Sequence, residues 1–261
     1  MMNALWVSKT GLNAQDHGLS VISNNLANVA TTGFKKDRAV FEDLIYQIQR
    51  QPGALSSQDS RLPSGLQIGT GVKVAGTQKI FTTGGLQETS QPLDLAINGR
   101  GFFQIAMPDG TVSYTRDGTF HMDAEGQLVN ATGFLLEPAI TIPDQTNTLT
   151  ISRDGIVSTT IFGETEPTEI GQIDVVDFIN PAGLQAIGGN LFLETASSGA
   201  PQVGVAGEGG YGAMEQGFLE NSNVNVVEEM VQMITVQRAY EMNSKVVSSA
   251  DQMLQYLAQN T

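Results

Sequence analysis

The sequence has 261 residues and a formal net charge of −14 at pH 7. This acidic balance argues against an extended contact with nucleic acid, because phosphate binding needs clustered lysine and arginine side chains. The sequence contains no cysteine, which excludes disulfide bonds and metal sites built from thiolates.

The composition is also low in charged residues and rich in glycine. Charged residues make up 15% of the sequence, below the roughly 25% of ordinary soluble domains, and the 29 glycines favour β-structure with frequent turns. No run of 18 apolar residues is present, so no transmembrane helix is expected. The stretch MMNALWVSKTGLNAQ lacks the basic and apolar regions of a secretory signal peptide. If this protein leaves the cell, we expect an export route that does not use a secretory signal peptide.

The first thirty residues predict a helix with apolar side chains at heptad spacing. Leucine recurs every seven residues, and a flanking line at the same spacing carries two glycines and an asparagine. Each glycine inside a helix costs about 1 kcal/mol relative to alanine, which is tolerated more readily where another backbone comes close. The predicted subunit-interface residues of this helix are Leu5, Gly11, Leu12, Gly18, Leu19, Ile22, Asn24, Asn25, Leu26, Asn28 and Val29.

Three asparagines lie within the stretch NNLAN of this helix. Asn25 lies beside the apolar seam, where a polar side chain fixes register and partner number at some cost in stability. Asn24 and Asn28 are one turn apart and could bond to a neighbouring helix. Alternatively, the stretch marks a fraying helix end before the Thr31-Thr32-Gly33 turn, which explains Asn28 well but not the other two.

A second heptad helix is predicted from about residue 225 to residue 258. Asn223 or Asn225 can cap it, and Glu228 and Glu229 suit its positive N-terminal end. Its predicted subunit-interface residues fall every seven positions: Val226, Met233, Tyr240, Val247 and Leu254. The narrow, regular stripes of both helices favour coiled-coil packing between partners. The alternative is that both helices pack against the chain's own β-domain.

The middle of the chain predicts an antiparallel β-domain. From Val72 to about Gly217, short alternating runs are broken by turn signals such as Asp109-Gly110 and Asp154-Gly155. No alternation of strands with helices is present, so we expect roughly ten antiparallel strands.

Little in this middle segment indicates chemistry. His17 and His121 are the only histidines and have no neighbour at metal-ligand spacing; His121 is expected to face solvent from a strand. We therefore expect no catalytic residue, metal or cofactor. The alternative from another class is a secreted cell-wall glycan hydrolase that uses a carboxylate pair such as Asp174 and Asp177, but a single tryptophan gives no aromatic-rich cleft.

Several segments carry a resemblance to a known family. LSVISNNLANVATTGFKK (19–36) resembles the N-terminal signature of the bacterial flagellar rod and hook family of axial proteins. PLDLAINGRGFFQI (92–105) and YTRDGTFHMDAEGQLVNATGFLLEP (114–138) resemble its central segments, and residues 222–254 resemble its C-terminal signature. YQIQRQPGALSSQDSRLPSGLQIGTGV (46–72) is similar to a stretch that marks distal-rod members. Another rod or hook-type member is the near alternative.

The resemblance implies an α+β fold with a coiled-coil-like inner domain and an outer, mainly antiparallel β-domain. The implied parts are an N-terminal helix (1–35) that lines a tube, an extended arm (36–71), a β-rich outer domain (72–217) and a C-terminal helix of the inner domain (218–261). Composition alone would make the polar part of residues 37–70 a flexible linker, whereas the resemblance favours an arm between subunits. The implied arm residues are Gln51, Pro52, Gly53, Leu62, Pro63 and Gly65. AVFEDLIYQI, at its start, can form a helix or strands.

The resemblance further implies a structural subunit that polymerises into a hollow helical drive shaft, transmits torque and lets exported axial proteins pass. The implied partners are other copies of the chain, proximal rod proteins, the hook protein, the surrounding P and L rings and the flagellar type III export apparatus. The implied location is the basal body, crossing the periplasm, after export without a cleaved signal peptide.

Overall fold

The computed structural model describes residues 2–52, 64–143, 146–161 and 166–259. The described residues form two long α-helices and twenty β-strands, and the strand pairs with a defined register are antiparallel. This confirms the α+β class. The described part of residues 72–217, for which roughly ten strands are expected, contains sixteen short strands.

The chain divides into two compact units that do not coincide with continuous stretches of sequence. The helical unit comprises residues 1–26, 37–78 and 225–261, and the β-unit comprises residues 27–36 and 79–224. Residues 37–78 are therefore grouped with the two helices. The functional division into tube-lining helices, arm and outer domain stays a prediction.

The helical unit is built from α1 (Met2–Ala27), β1 (Asp37–Asp43), β2 (Tyr46–Arg50), β3 (Leu66–Gly69), β4 (Val72–Lys79) and α2 (Val226–Gln259). β1 pairs with β4, and β2 pairs with β3. AVFEDLIYQI therefore contributes to two strands and to no helix. In the second pair, Tyr46 lies opposite Gly69 and Arg50 lies opposite Leu66.

Asn225 caps α2, which confirms one of the two predicted capping residues. Its Oδ1 accepts hydrogen bonds from the N–H groups of Val227 and Glu228, at 3.1 and 3.4 Å. Two glutamates lie in the first turn, where a negative charge is stabilised by the helix dipole. The helix runs from Val226 to Gln259, within a residue of the predicted bounds.

The two helices contact each other at three positions spaced by seven residues. A Cβ atom built on Gly11 would lie 3.1 Å from Nδ2 of Asn243, and one built on Gly18 would lie 3.8 Å from Cγ1 of Val236. Nδ2 of Asn25 donates to Oε2 of Glu229 at 3.2 Å. Each step of seven along α1 matches a step of seven backward along α2, so the helices run antiparallel.

The β-unit contains sixteen strands and one short 3-10 helix among the described residues. In chain order the strands are β5 (Leu86–Glu88), β6 (Leu95–Asn98), β7 (Phe103–Ala106), β8 (Val112–Thr115), β9 (Phe120–Met122), β10 (Leu128–Asn130), β11 (Leu135–Glu137), β12 (Thr146–Ile151), β13 (Ile156–Ile161), β14 (Thr168–Gln172), β15 (Val175–Asp177), β16 (Gln185–Gly188), β17 (Leu191–Leu193), β18 (Gln202–Gly204), β19 (Ala213–Gln216) and β20 (Phe218–Glu220); the 3-10 helix is Pro181–Gly183.

A seven-stranded sheet in the order β16-β17-β8-β7-β11-β10-β9 is the largest element of the β-unit. A three-stranded sheet, β12-β13-β14, and the pairs β15–β18, β6–β19 and β5–β20 complete it. Apolar side chains alternate inward along the strands: Phe103 and Ile105 of β7 are fully buried, and Phe103 meets Phe120 edge to face with ring centroids 5.2 Å apart. A second cluster forms around Phe102 and Phe192. The β-unit thus holds the main hydrophobic core.

Candidate assembly surfaces

Exposed apolar side chains are concentrated in the helical unit. Of the twenty-two large apolar residues exposed in the described part of the chain, eighteen belong to this unit. The four in the β-unit are Met122, Ile179, Ile187 and Val203. Large apolar surfaces on one part of a protein mark sites that contact other protein, so the helical unit is the candidate assembly surface.

Two groups of exposed apolar residues lie near the two ends of α2. The group near its start, here named the N-terminal patch, consists of Val227, Met230, Val231 and Ile234. The group near its end, here named the C-terminal patch, consists of Met253, Leu254 and Tyr256. All seven side chains are exposed by 38% or more, whereas Glu229 and Ala250 of the same helix are buried.

The predicted interface residues of α2 lie at the edge of the face that meets α1. Met233 and Val247 are half-buried, whereas Val226, Tyr240 and Leu254 are 40, 42 and 38% exposed. The contacts with α1 instead use a neighbouring line of residues, which also recurs every seven positions. The predicted role of these five residues between subunits stays a prediction.

The leucine line of α1 and its polar flanking line have different environments. The four leucines, Leu5, Leu12, Leu19 and Leu26, are half-buried. The flanking line at Gly11, Gly18 and Asn25 provides the contacts with α2, as expected where small residues admit a close neighbour. Ile22 is buried beside this line. Asn24 is exposed in the last turns of α1, and Asn28 and Val29 follow its end.

Asn25 is 1% exposed and uses both ends of its amide within the helical unit. Its Nδ2 donates to the carbonyl of Asp37 at 2.9 Å and to Glu229, and its Oδ1 accepts the N–H of Asp37 at 2.9 Å. Asn25 therefore joins α1, α2 and the start of β1 in one chain. The sequence predicts Asn25 as a register-fixing residue but does not predict these partners. Its predicted role between subunits stays a prediction.

The β2–β3 pair lies within the predicted arm of residues 36–71 and flanks the six arm residues named from the sequence. Every residue of β2 is exposed, including Tyr46 and Ile48, which are 50 and 56% exposed. Gln51 and Pro52 are also exposed, and a Cβ atom on Gly65 would lie 2.5 Å from the carbonyl oxygen of Arg50. Only glycine therefore fits at position 65, just before β3. Of the predicted arm residues, Gly53, Leu62 and Pro63 lie outside the described residues.

The helical unit also contains a groove. It is lined by the first turns of α1 and by β2 and β3, from Asn3, Trp6, Val7, Gln47, Ile68, Gly69 and Thr70. Trp6 is 57% exposed, and the Lys9 ammonium lies 5.4 Å from the centre of its ring. The groove lies between the start of α1 and the β2–β3 pair and has both polar and apolar lining residues.

A buried ionic cluster in the β-unit connects the N-terminal signature and a central segment to Glu220, which lies two residues before the C-terminal signature. Nζ of Lys35 lies 2.6 Å from Oε1 of Glu220, and Nη1 of Arg116 lies 3.3 Å from Oε2. The three side chains are at most 2% exposed. Burial, followed by the Arg116 charge, lowers the pKa of Lys35, while Glu220 opposes the shift. Sequence reasoning missed this cluster, because its three residues lie far apart along the chain.

Backbone groups complete the cluster around Glu220. Its Oε1 also accepts the N–H of Gly84 at 2.7 Å, and its own carbonyl accepts the N–H of Gly33 at 2.7 Å. Nη2 of Arg116 donates to the carbonyl of Gly99 at 2.7 Å. Gly33 has a φ of +68°, and a Cβ atom there would lie 2.7 Å from the backbone nitrogen of Asp117. The GFKK turn can therefore approach this site only with glycine at its first position.

Asn223 performs a similar bridging role a few residues beyond Glu220. Its Oδ1 accepts the N–H of Lys36 at 2.8 Å, and its Nδ2 donates to the carbonyl of Ile80 at 2.7 Å. Residues 33–36 and 220–223, which lead into the helical unit along the chain, are thus both bonded to the same part of the β-unit.

The described residues offer no cluster of three side chains that could hold a metal ion. His17 and His121 are both exposed, and His121 lies in β9 as expected. Neither described helix is long and apolar enough to cross a membrane.

Three family models match separate parts of the chain and define its class. Residues 5–35 match the family described as flagella basal body rod protein. Residues 96–159 match the flagellar hook protein FlgE/F/G D1 domain, and residues 215–260 match the C-terminal region of flagellar basal body rod FlgEFG proteins. The fold and these matches place the chain among the axial proteins of the flagellar rod and hook.

Relatives that match the chain over its full length indicate which members of this class it most resembles. The chain is 54% identical over 259 residues to the flagellar basal-body rod protein FlgG of Buchnera aphidicola subsp. Schizaphis graminum, covering 99% of this chain and 100% of the relative. It is 50% identical over 256 residues to FlgG of Borreliella burgdorferi, covering 97% of both. It is 47% identical over 259 residues to FlgG of Caulobacter vibrioides, covering 99% of both. The chain therefore belongs to the flagellar basal-body rod protein family and is most like its FlgG members.

Membership in this family decides between the two classes of function. The chain is a structural subunit of the flagellar basal-body rod and not an enzyme. The glycan hydrolase alternative has no support among the relatives.

Proposed function

We propose that this chain is the subunit of the distal rod and polymerises through its helical unit into a hollow helical drive shaft. The observation that carries the proposal is the concentration of exposed apolar residues in the helical unit. A single copy leaves this surface in water, which costs about 25 cal/mol for each Å² that a neighbouring copy could cover. The full-length likeness to FlgG supports the rod as the place of assembly.

The helices of neighbouring copies form the wall of the tube in this proposal. Contacts between α1 and α2 at seven-residue spacing support a coiled-coil-like pair within each copy. The predicted residues at the edge of this pair, such as Tyr240 and Leu254, then contact other copies. The β-unit forms the outer layer, and the segment between β2 and β3 lies between subunits as an arm. Contacts at several radii make the shaft resist bending and transmit torque.

The proposed surroundings follow from the distal position. The shaft crosses the periplasm and meets proximal rod proteins at one end, the hook protein at the other, and the P and L rings around it. The flagellar type III apparatus exports the chain without cleavage, and the lumen lets later axial proteins pass. Two glycines weaken α1 on its own, which would ease passage of an unfolded chain.

Two exposed isoleucines test the proposal as a matched pair. Ile234 of the helical unit is 51% exposed, and Ile187 of the β-unit is 41% exposed. Ile234→Asp should prevent the purified full chain from forming tubes, whereas Ile187→Asp should leave tube formation in place. Ultracentrifugation and electron microscopy measure the outcome. Loss of tubes only with Ile187→Asp, or a wild-type chain that stays monomeric at high concentration, would contradict the proposal.

A further inference from the structure

We propose that the two patches of α2 dock on each other between copies: the C-terminal patch of one copy packs on the N-terminal patch of the next. The inference rests on the proposed polymer and specifies which surfaces of the helical unit pair along it. The occupant of each patch is thus a second copy of this chain.

The N-terminal patch is a regular stripe that α1 does not cover. Its residues follow the spacing i, i+3, i+4, i+7, which places them on one face of a helix. Val227 is 71% exposed, and Met230, Val231 and Ile234 are 54, 58 and 51% exposed. At about 100° per residue, these four positions lie roughly 100–200° around the helix from Glu229, which meets α1. The stripe therefore faces away from the partner helix.

The C-terminal patch is a second apolar surface with little charge. Met253 and Tyr256 are 52 and 69% exposed, and Leu254 is 38% exposed. Asp251 is the only charged residue of the described segment 250–259. Methionine occurs in both patches and adapts its shape to a neighbouring surface.

The two patches of one copy cannot meet each other. Met230 and Met253 are 23 residues apart on one continuous helix, which separates them by about 35 Å at 1.5 Å per residue. Contact between two different patches of the same chain is heterologous, and such a contact adds copies without closing. The same arrangement brings the negative C-terminal end of one α2 near the positive N-terminal end of the next. Both geometry and dipole direction therefore favour head-to-tail docking.

The absence of native cysteine makes disulfide cross-linking an unambiguous test. The probe is the full chain carrying both Met230→Cys and Met253→Cys, polymerised and then oxidised. A disulfide requires Cα atoms about 4.4–6.8 Å apart, so these two cysteines can join only between copies. The expected result is a ladder of covalent multimers. The control, Gln237→Cys with Met253→Cys, moves one cysteine two turns along the same exposed side of α2 and should give no ladder.

Each outcome of this experiment has a defined meaning. Polymers that form without a ladder from the first pair would overturn the docking inference and leave the proposed function standing. Covalent dimers from Met230→Cys alone would also overturn it, because the N-terminal patch would then pair with itself. A wild-type chain that forms no polymer at all would overturn the proposed function and the docking inference together.

A charge substitution tests the same contact without oxidation. Met253→Glu should raise the concentration at which polymers form by about tenfold or more, because a buried apolar contact is lost. Gln252→Glu adds the same charge one residue away and should shift this concentration far less. Circular dichroism should show the same helix content in both variants. Equal shifts for the two substitutions would contradict the inference.

Discussion

Glu220 joins Lys35 of the N-terminal signature to Arg116 of a central segment. Replacing it with glutamine keeps its shape but leaves Lys35 and Arg116 buried without a carboxylate. Removing one partner from a buried ion pair costs about 3–5 kcal/mol, so Glu220→Gln should lower the free energy of unfolding by about this amount. Chemical denaturation of the purified chain measures it.

The control for this substitution is an ion pair of the same β-unit that is open to water. Glu215 lies 2.6 Å from Arg153, whose side chain is 74% exposed. Exposed pairs contribute about 1 kcal/mol or less, so Glu215→Gln should have a small effect. Equal losses for the two substitutions would show that the buried cluster has no special role in stability.

Asn25 gives a second prediction at this scale. Asn25→Leu removes the acceptor for the Asp37 N–H and a donor to Glu229. Each buried hydrogen-bonding group that loses its partner costs about 1–3 kcal/mol, so the helices should melt at a lower temperature. Circular dichroism at a helix wavelength measures this, with Ser23→Leu at a neighbouring exposed position as the control. A more stable, more strongly associating Asn25→Leu chain would instead support a role between subunits.

The packing of α1 against α2 predicts that replacing one glycine of α1 with alanine increases stability. A Cβ atom on Gly18 would have ordinary contacts, 3.7 Å from Phe41 and 3.8 Å from Val236. Because alanine is the better helix former by about 1 kcal/mol, Gly18→Ala should stabilise the chain by about 0.5–1 kcal/mol. Gly11→Ala should increase the stability less, since its Cβ would lie 3.1 Å from Nδ2 of Asn243. Thermal unfolding of both variants distinguishes them, and a clear loss for Gly18→Ala would contradict the packing described.

The elements differ in how far sequence predicts them. Heptad spacing and the Asn225 cap identify α2 to within a residue, because both signals are local. The sequence does not show which line of α1 meets α2, because the leucine line and the flanking line of Gly11, Gly18 and Asn25 have the same spacing. The contacts of these three residues are therefore known only from the structure. The pairing of Lys35 with Glu220 joins residues 185 positions apart, and no local pattern records it. Contacts between copies depend on the surface of a second chain, and no local pattern in one sequence encodes them.

At the scale of the whole molecule, the division into units makes a prediction about fragments. A fragment of residues 27–224 contains the whole β-unit together with residues 37–78 of the helical unit. It retains Lys35, Arg116 and Glu220 and lacks both helices, so it should be a soluble, mainly β monomer. The shorter fragment 72–217 follows the bounds expected from sequence but lacks Lys35 and Glu220, which leaves Arg116 buried without a carboxylate. It should be less stable and prone to aggregate. Circular dichroism and light scattering compare the two fragments. If the shorter fragment were as stable as the longer one, the Lys35–Glu220–Arg116 cluster would not be needed for the stability of the β-unit.

In the proposed assembly, the helical unit builds the inner wall of a hollow polymer. Electron cryomicroscopy of tubes assembled from the full chain tests it most directly. The expected result is open-ended tubes in which α1 and α2 surround the lumen and the β-unit lies outside. Tubes with the β-unit around the lumen and the helices on the outer surface would contradict it.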